Sequence, residues 1–298
     1  METLRTMTYA RDGRVARITL NRPDRGNAIT LELPRELTEC VERANLDPGV
    51  HVIALAGNGP GFCAGYDLAS AEGMGGLGES GASPAASPLD PAVIAANHDP
   101  DGVWDPVVDF QMMWRNVRGF MSLFESEKPV VCKVHGFCVA GGTDMALCSD
   151  LLVVEDDAKI GYPPARVWGV PTTALWAWRI GPARAKRLLL TGDCIAGTEA
   201  VDWGLATEAA PADQLDERFE ALVERIARLP VNQLVLHKLL VNQSLHAQGL
   251  RATQVLGTFF DGIARHTPEG YDFTRLAADQ GWREAVRRRD EPFGGFGR

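Results

Sequence analysis

Short, largely apolar segments that alternate with longer helical patterns set the strongest constraint on the fold of this chain. Four of them lie in the first 160 residues, at Val15–Leu20, 51–56, Val130–Val134 and Leu151–Glu155. Runs of five or six such residues are typical of strands buried in a sheet, and helices between them indicate crossovers between parallel strands. The first part of the chain is therefore predicted to form a largely parallel sheet covered by helices.

The C-terminal part of the chain shows only helical spacing. Its predicted helices cover residues 213–228, 231–246, 250–265 and about 273–289. Strands that alternate with helices, followed by helices alone, predict an α/β fold with an appended helical region. We assign the α/β core to residues 1–210 and the helical C-terminal region to residues 211–298.

Residues 69–105 interrupt the alternation of strands and helices. Glycine, serine, alanine and proline dominate the first half of this segment, and the second half is acidic. A loop of this length inside a compact domain is usually functional or mobile. Two interpretations stay open at this point, a flexible lid over a site and a surface insertion without function.

Composition excludes several classes of function. The net charge of -9 argues against general affinity for nucleic acid or for an anionic membrane surface, and no apolar run reaches membrane-spanning length. The scattered cysteines show neither a CxxC pair nor a Cys/His metal pattern. We therefore expect a cytoplasmic protein without a metal site, whose thiols stay reduced. The six cysteines are Cys40, Cys63, Cys132, Cys138, Cys148 and Cys194.

Two junctions between a strand and a glycine-containing turn are the candidates for chemistry. The first runs through residues 57–68, and the second passes through Ala140-Gly141-Gly142 into a helix with Asp144 in its first turn. Backbone N–H groups at a helix N-terminus favour negative charge, and two converging N–H groups are what an oxyanion hole requires. Taken alone, the second junction is better explained as a tight turn before a capped helix.

Motifs of other enzyme classes are absent from the sequence, which has no Walker motif, no G-x-G-x-x-G that leads from a strand into a helix, no H-E-x-x-H and no G-x-S-x-G. Four segments instead resemble, in order, those of the crotonase (enoyl-CoA hydratase/isomerase) superfamily. They are NRPDRGNAIT at 21–30, GNGPGFCAGYDL at 57–68, KPVVCKVHGFCVAGGTDMALCSDLLV at 128–153 and TGDCIAGTEAVDWGLATE at 191–208. The resemblance covers essentially the whole chain.

This resemblance implies a spiral of repeated ββα units with an all-helical C-terminal trimerisation region, in a homotrimer or a dimer of trimers. It implies an acyl-CoA thioester as substrate, with coenzyme A as part of the substrate and no separate cofactor. The thioester carbonyl would lie between the N–H groups of Tyr66 and Gly141, with Asp144 as an acid/base, one methylene shorter than the usual glutamate. The positions matching the coenzyme A site are Arg25, Ala28, Ala64, Asp67 and Leu68.

The chain departs from the family pattern at the second catalytic carboxylate. That position is Pro164, and a further acidic position used by some members falls near Thr172. General acid/base catalysis typically contributes about 10²–10⁴-fold, so the loss of one partner is significant.

Three outcomes follow from this departure. The 69–105 segment supplies the missing group, or the pocket carries out another enolate reaction, such as isomerisation, decarboxylation or thioester hydrolysis, or the protein binds acyl-CoA without turnover. Arg22, Arg25 or the basic C-terminal helix would meet the phosphates of coenzyme A. The side chains considered for the first two outcomes are Asp99, Asp101, Asp105 and His98, and Tyr66, Tyr162 and Arg166.

Overall fold

The computed structural model describes residues 1–68 and 86–295, and it contains two β-sheets with helices on both sides of the larger one. The strands in the described residues are β1 (Glu2–Thr3), β2 (Met7–Asp12), β3 (Val15–Leu20), β4 (Val52–Gly57), β5 (Val130–Val134), β6 (Phe137–Val139), β7 (Leu151–Glu155), β8 (Lys159–Gly161), β9 (Cys194–Ile195) and β10 (Glu208–Ala210). The helices are α1 (Glu32–Leu46), α2 (Pro91–Asn97), α3 (Pro106–Glu125), α4 (Gly141–Ala146), α5 (Trp176–Leu189), α6 (Gly197–Asp202), α7 (Leu215–Ala227), α8 (Val231–Ala247), α9 (Leu250–Arg265), α10 (Pro268–Gln280) and α11 (Trp282–Asp290).

The larger sheet has the strand order β1-β2-β3-β4-β5-β7-β10. Its first three strands are antiparallel, and the pairs from β3 to β10 are parallel. The register pairs Ile53 with Val130 and Val131 with Leu151. Because β4 and β5 are parallel neighbours, their carboxyl ends meet at one edge of the sheet. The two glycine-containing junctions both start at that edge.

The four predicted strands are present as β3, β4, β5 and β7, and their apolar character follows from burial on both faces. Val52 and Ala54 of β4 pack toward Phe219 of α7. The alternate residues Ile53 and Leu55 belong to the main core together with α1 and α3. A strand covered on both faces has no side to leave polar, which explains the continuous apolar run.

The smaller sheet consists of β6, β8 and β9, with β6 parallel to β8 and β9 antiparallel to it. β6 follows β5 and β8 follows β7 along the chain, so a long strand, a short strand and then a helix occur in that order twice. Sequence patterns do not predict these short strands, because two or three residues are too few to show an alternation.

One helix prediction needs correction. The single helix expected at 273–289 is instead α10 and α11, because Gly281 between them has φ 85° and ψ 148°, a conformation that favours glycine. The helical spacing also predicts two helices at 172–180 and 183–190, and α5 is indeed interrupted between them by a non-helical residue, Gly181 (φ 75°, ψ 163°). Predicted α7, α8 and α9 are present with bounds within two residues of expectation.

The expected insertion at 69–105 divides into two parts. Residues 69–85 lie outside the described residues. The remainder contains α2 and ends at Asp105, the N-cap of α3. The Asn97 amide at the end of α2 donates to the Asp105 carbonyl oxygen (3.1 Å), so this part folds back onto α3. Among the residues described, no helix combines the length and apolar character needed to cross a membrane.

Candidate active site

A cavity of about 490 Å³ opens at the sheet edge where β4 and β5 end. Its walls come from both glycine-containing junctions, from the turn at 163–166, and from α3, α9 and α11. A cavity of this size with a mainly apolar wall and few polar groups fits a small-molecule site. Its inner wall includes Tyr66, Met112, Met113, Val139, Ala140, Gly141, Tyr162, Pro164, Trp168 and Asp261.

Hydrogen bonds hold the two junctions side by side. The Phe62 N–H donates to the Phe137 carbonyl oxygen (2.9 Å), and the Val139 N–H donates to the Cys63 carbonyl oxygen (3.0 Å). Gly65 has φ +94°, and a Cβ at this position would lie 2.7 Å from the Ala140 Cβ. The approach of the two turns therefore depends on a residue without a side chain at position 65.

The backbone N–H groups of Tyr66 and Gly141 are directed away from the protein's own hydrogen-bond ladders. Ile29 exchanges hydrogen bonds with the residues on either side of Tyr66, as its N–H donates to Gly65 O (2.8 Å) and its carbonyl accepts from Asp67 N (3.1 Å). In such a parallel bridge the N–H of the middle residue points to the opposite side. Gly141 is the first residue of α4, where an N–H has no acceptor within the helix. Both residues line the cavity.

Asp144 lies in α4 and is buried, with 1% of the residue exposed. Its Oδ1 accepts hydrogen bonds from the Thr173 N–H (3.1 Å) and the Thr173 hydroxyl (2.7 Å), whereas Oδ2 has no hydrogen-bond partner within the described part of the chain. Burial raises the pKa of Asp144 to about 7, although the Thr173 hydrogen bonds oppose the shift. Asp144 does not itself line the cavity, but Tyr66 and Tyr162 do. The charge of Asp144 is one of the causes that raise the pKa of both tyrosines.

Asp261 of α9 is a second buried carboxylate, and unlike Asp144 it lines the cavity. Its Oδ1 accepts from the Val170 N–H (3.2 Å), and its Oδ2 lies 3.4 Å from Nε of Arg265. Burial raises the pKa of Asp261, and the Arg265 charge opposes this shift. The charge of Asp261 is in turn one of the causes that raise the pKa of Asp144, so the two carboxylates are close enough to interact.

Sequence reasoning did not find Asp261, although α9 carries a usable signal. After Leu250, the buried residues of α9 are polar side chains and glycines, and three of its large apolar residues are exposed. A helix that buries a stripe of polar side chains must satisfy them inside the protein, which points to a functional or specifically paired face. The stripe consists of Gln254, Thr258, Asp261 and Arg265, and the exposed residues are Leu256, Phe260 and Ile263.

Arg265 continues the polar contacts away from the cavity. Its Nη2 lies 3.1 Å from Oδ1 of Asp109, and Oδ2 of Asp109 also contacts Nε2 of His266 (2.9 Å). Burial alone would raise the pKa of Asp109, but the hydrogen bond with His266 and the Arg265 charge lower it below its ordinary value. Arg265 therefore lies between two carboxylates, those of Asp109 and Asp261, and its ion pair with Asp109 helps to fix its position beside Asp261.

The side chains proposed as a catalytic lid do not line the cavity. Asp99 and Asp101 are exposed, and the Asp105 carboxylate accepts from the Val107 N–H (2.9 Å) as a helix cap. His98 is buried with its Nε2 3.1 Å from the Thr274 hydroxyl, and burial lowers its pKa to about 4. None of these four side chains, which lie in the described part of the 69–105 segment, is therefore placed to supply the missing catalytic group.

The turn that should carry the second family carboxylate is built differently here. Pro164 lines the cavity and cannot exchange a proton. Arg166, considered as a pocket residue, instead pairs with Asp193 (3.2 Å) and Asp290 (3.0 Å), and its side chain is 1% exposed. Arg166 therefore joins this turn to the end of α11. Thr172 is buried next to Thr173.

All five residues predicted to contact coenzyme A line the cavity. Arg22 does not, because its guanidinium is engaged with the Asp67 carboxylate (2.9 Å) and with the Ala28 carbonyl oxygen (2.8 Å). At the mouth, α11 contributes Arg283 and Arg289 to the lining, and Arg25 lies exposed nearby. The predicted positions are Arg25, Ala28, Ala64, Asp67 and Leu68.

Comparison with known proteins gives one consistent family. The family model described as "Enoyl-CoA hydratase/isomerase" matches residues 10–84 and 109–270. The chain is 33% identical over 256 residues to EchA13 of Mycobacterium tuberculosis, named as an enoyl-CoA hydratase, covering 81% of this chain and 74% of that protein. It is 30% identical over 217 residues to (E)-benzylidenesuccinyl-CoA hydratase of Thauera aromatica, covering 72% and 73%.

Solved structures give the same result. A crystal structure of an enoyl-CoA hydratase from Mycobacterium smegmatis is 56% identical in sequence and superposes with a TM-score of 0.91, covering 98% of this chain and 95% of that chain. An enoyl-CoA hydratase/isomerase from Xanthobacter autotrophicus is 25% identical, with a TM-score of 0.82 and coverage of 98% and 99%. The C-terminal helices α8–α11 lie within this match.

Proposed function

The chain is an enzyme of the enoyl-CoA hydratase/isomerase family, and we propose that it adds water across the double bond of an enoyl-CoA thioester. The observation that carries this proposal is the meeting of Tyr66 and Gly141 at the cavity wall, one helical turn before a buried Asp144 whose pKa is raised to about 7. This arrangement combines two backbone donors with a carboxyl group able to exchange a proton at neutral pH.

The two backbone donors act on the thioester oxygen. When a nucleophile adds to the β-carbon, negative charge moves onto that oxygen, and the N–H groups of Tyr66 and Gly141 stabilise the resulting enolate. Donors of this kind typically contribute about 2.7–4 kcal/mol each. Their effect is enhanced at a cavity wall that is largely apolar, where water does not screen the interaction.

Asp144 acts as the acid that completes the addition. A group with a pKa of about 7 is partly protonated at neutral pH, and we assign the transferred proton to Oδ2, the oxygen without a described partner. Thr173 keeps the other oxygen in place. Proton delivery to the α-carbon of the enolate then gives the 3-hydroxyacyl product.

Coenzyme A lies in the outer cavity in this proposal, along the wall formed by 25–28 and 64–68. Arg25 and Arg283 supply positive charge at the mouth for its phosphates, which offsets the net charge of -9 locally, whereas Arg289 is paired with Asp290 (2.8 Å). The apolar inner wall, with Met112, Met113 and Trp168, would hold the acyl group.

Isomerisation of a double bond is the second candidate, because Pro164 replaces the second carboxylate of the family pattern. Moving a double bond needs one group that removes a proton and returns it, and Asp144 alone would suffice for that reaction. Hydration requires water to be activated as well.

A panel of 2-enoyl-CoA and 3-enoyl-CoA thioesters tests these alternatives. Loss of the conjugated enoyl absorbance with formation of 3-hydroxyacyl-CoA is the expected result. Gain of that absorbance from 3-enoyl-CoA alone would favour the isomerase, and release of free thiol would favour thioester hydrolysis. Tight acyl-CoA binding with no product from any thioester would instead assign a binding protein.

We also propose that the chain assembles as a homotrimer or a dimer of trimers, with the ββα units wound into a spiral in each subunit. The exposed apolar side chains of α8 and α9 support this assembly, since contiguous exposed apolar surface usually marks an interface. A cytoplasmic location is proposed with it, which the six free, buried thiols support. The exposed residues are Leu236, Leu239, Leu240, Val241, Leu256, Phe260 and Ile263.

Light scattering after size-exclusion chromatography tests the assembly. The wild type is expected at three or six times the 32.3 kDa of one chain. Leu240→Glu places a charge in the exposed face of α8 and should give monomers, whereas Leu46→Glu, at a 74% exposed leucine on α1, should not. A monomeric wild type would refute the proposal.

A further inference from the structure

Four aspartates line the cavity, and their surroundings differ. Asp24 is exposed at the mouth. Asp67 and Asp290 form ion pairs that brace the outer wall. Asp261 is the one of these four whose charge raises the pKa values of Tyr66 and Tyr162 in addition to their burial. The cavity wall near these tyrosines thus has a carboxylate that comes from the C-terminal helical region.

Burial raises the pKa of Asp261, but two of its contacts act to keep it ionised. Arg265 lies four residues further along α9 with Nε 3.4 Å from Oδ2, and the Val170 N–H donates to Oδ1. Asp144, by contrast, is held by two neutral donors of Thr173. A cationic partner stabilises a carboxylate more than neutral donors do, so the two aspartates are suited to opposite roles.

Resting on the proposed hydratase function, we propose that Asp261 is the general base that activates water, in place of the carboxylate that Pro164 lacks. Water bonds through its oxygen to the β-carbon and loses a proton to the Asp261 carboxylate. The π electrons move to the thioester oxygen as an enolate, and Asp144 delivers its proton to the α-carbon. Asp261 then returns its proton to Asp144 through exchange with water, so one water is added and both groups recover their starting forms.

A purely structural role for Asp261 does not explain its position on the cavity wall. Asp261 would then serve only to hold the backbone at Val170 and to pair with Arg265, and it would have no reason to face the cavity. Arg265 already has a second carboxylate partner in Asp109. A buried ion pair is in itself weak evidence for a stabilising role, because its replacement by apolar residues is often neutral or stabilising.

The test compares two reactions in two variants. Hydration needs both aspartates, whereas exchange of an α-hydrogen of a saturated acyl-CoA with D₂O needs only Asp144 and the backbone donors. Asp261→Asn keeps the acceptor for Val170 and should lower hydration by about 10²–10⁴-fold while exchange continues. Asp144→Asn should lose both reactions. Asp279→Asn, at an exposed carboxylate on α10, should retain both and serves as the matched control.

The outcomes separate this inference from the proposed function. If the wild type hydrates no enoyl-CoA, the proposed function fails. If it does, and Asp261→Asn hydrates at the wild-type rate, or loses exchange together with hydration while still binding acyl-CoA, Asp261 is not the base.

If Asp261→Asn does not fold, Asp261→Glu retains the charge for Arg265 but displaces the oxygens by one methylene. Hydration by this variant is expected to fall at least about tenfold with exchange preserved. Hydration at the wild-type rate would overturn the proposal.

Discussion

α4 and α9 bring buried aspartates to the same cavity from two parts of the chain with very different sequence signals. α4 follows a strand and a glycine turn in the α/β core, and Asp144 stands in its first turns. α9 is one of several consecutive C-terminal helices, and its buried polar stripe has no accompanying motif. A site residue on a sheet-edge turn can be recognised from the strand and glycine pattern around it in the sequence. A site residue on a packed helix can be recognised only from the position of that helix in the folded protein.

The electrostatics of the two aspartates differ as well. Asp144 is surrounded by neutral donors and apolar atoms, so burial dominates and raises its pKa to about 7. Asp261 shares the low-polarity surroundings, but Arg265 opposes the shift. A pair of carboxyl groups whose environments differ in this way can divide the roles of acid and base between them.

Removing Asp144 should have the largest effect on activity. Asp144→Asn preserves the size of the side chain and an acceptor for Thr173, but it cannot deliver a proton. We expect kcat for enoyl-CoA hydration to fall by about 10²–10⁴-fold with little change in KM. Steady-state kinetics on a purified, folded variant provide the measurement. Wild-type turnover would remove Asp144 from the mechanism and would leave α9 as the only source of acid/base chemistry.

Disturbing the contact between the two junctions should have the next largest effect. Gly65→Ala puts a Cβ at φ +94°, 2.7 Å from the Ala140 Cβ, and so displaces the Tyr66 N–H from Gly141. Loss of one oxyanion donor typically costs about 10²–10³-fold in kcat. Gly249→Ala is the matched control, because Gly249 has the same φ of +94° with open space around it. Equal kinetics for the two variants would contradict the role of the junction.

The contrast between α4 and α9 explains how far sequence reasoning reached. The four apolar strands and the two junctions could be predicted, because apolar runs and glycine turns act through local backbone geometry, whereas the five coenzyme A positions are implied only by the family resemblance. Asp261 could not be linked to Tyr66, because the contact depends on how α9 crosses the cavity. The division of the last helix at Gly281 also required a backbone conformation that periodicity does not report.

Asp144 should also make the free energy of unfolding depend on pH. Its pKa is about 7 in the folded protein against 3.8 as the ordinary value, so the folded state binds more protons between these pH values and loses stability as pH rises through them. At about 1.36 kcal/mol per unit, Asp144→Asn should gain a few kcal/mol relative to the wild type at pH 8 and nothing at pH 3.5. Urea unfolding at both pH values measures the difference. A gain independent of pH would mean that Asp144 is not buried as an acid.

The smallest effect is expected from Arg265→Met, which removes the cation that distinguishes Asp261 from Asp144. The groups that act on Asp261 besides Arg265 are the Val170 N–H and Asp109, and Asp109 keeps His266 as a partner in the variant. Without Arg265, burial should raise the pKa of Asp261 further, so less of the base is ionised at pH 7. We expect hydration to fall about tenfold at pH 7 and to recover at higher pH, with α-hydrogen exchange unchanged. A pH–rate profile that keeps the wild-type shape would mean that the two aspartates do not owe their different roles to Arg265.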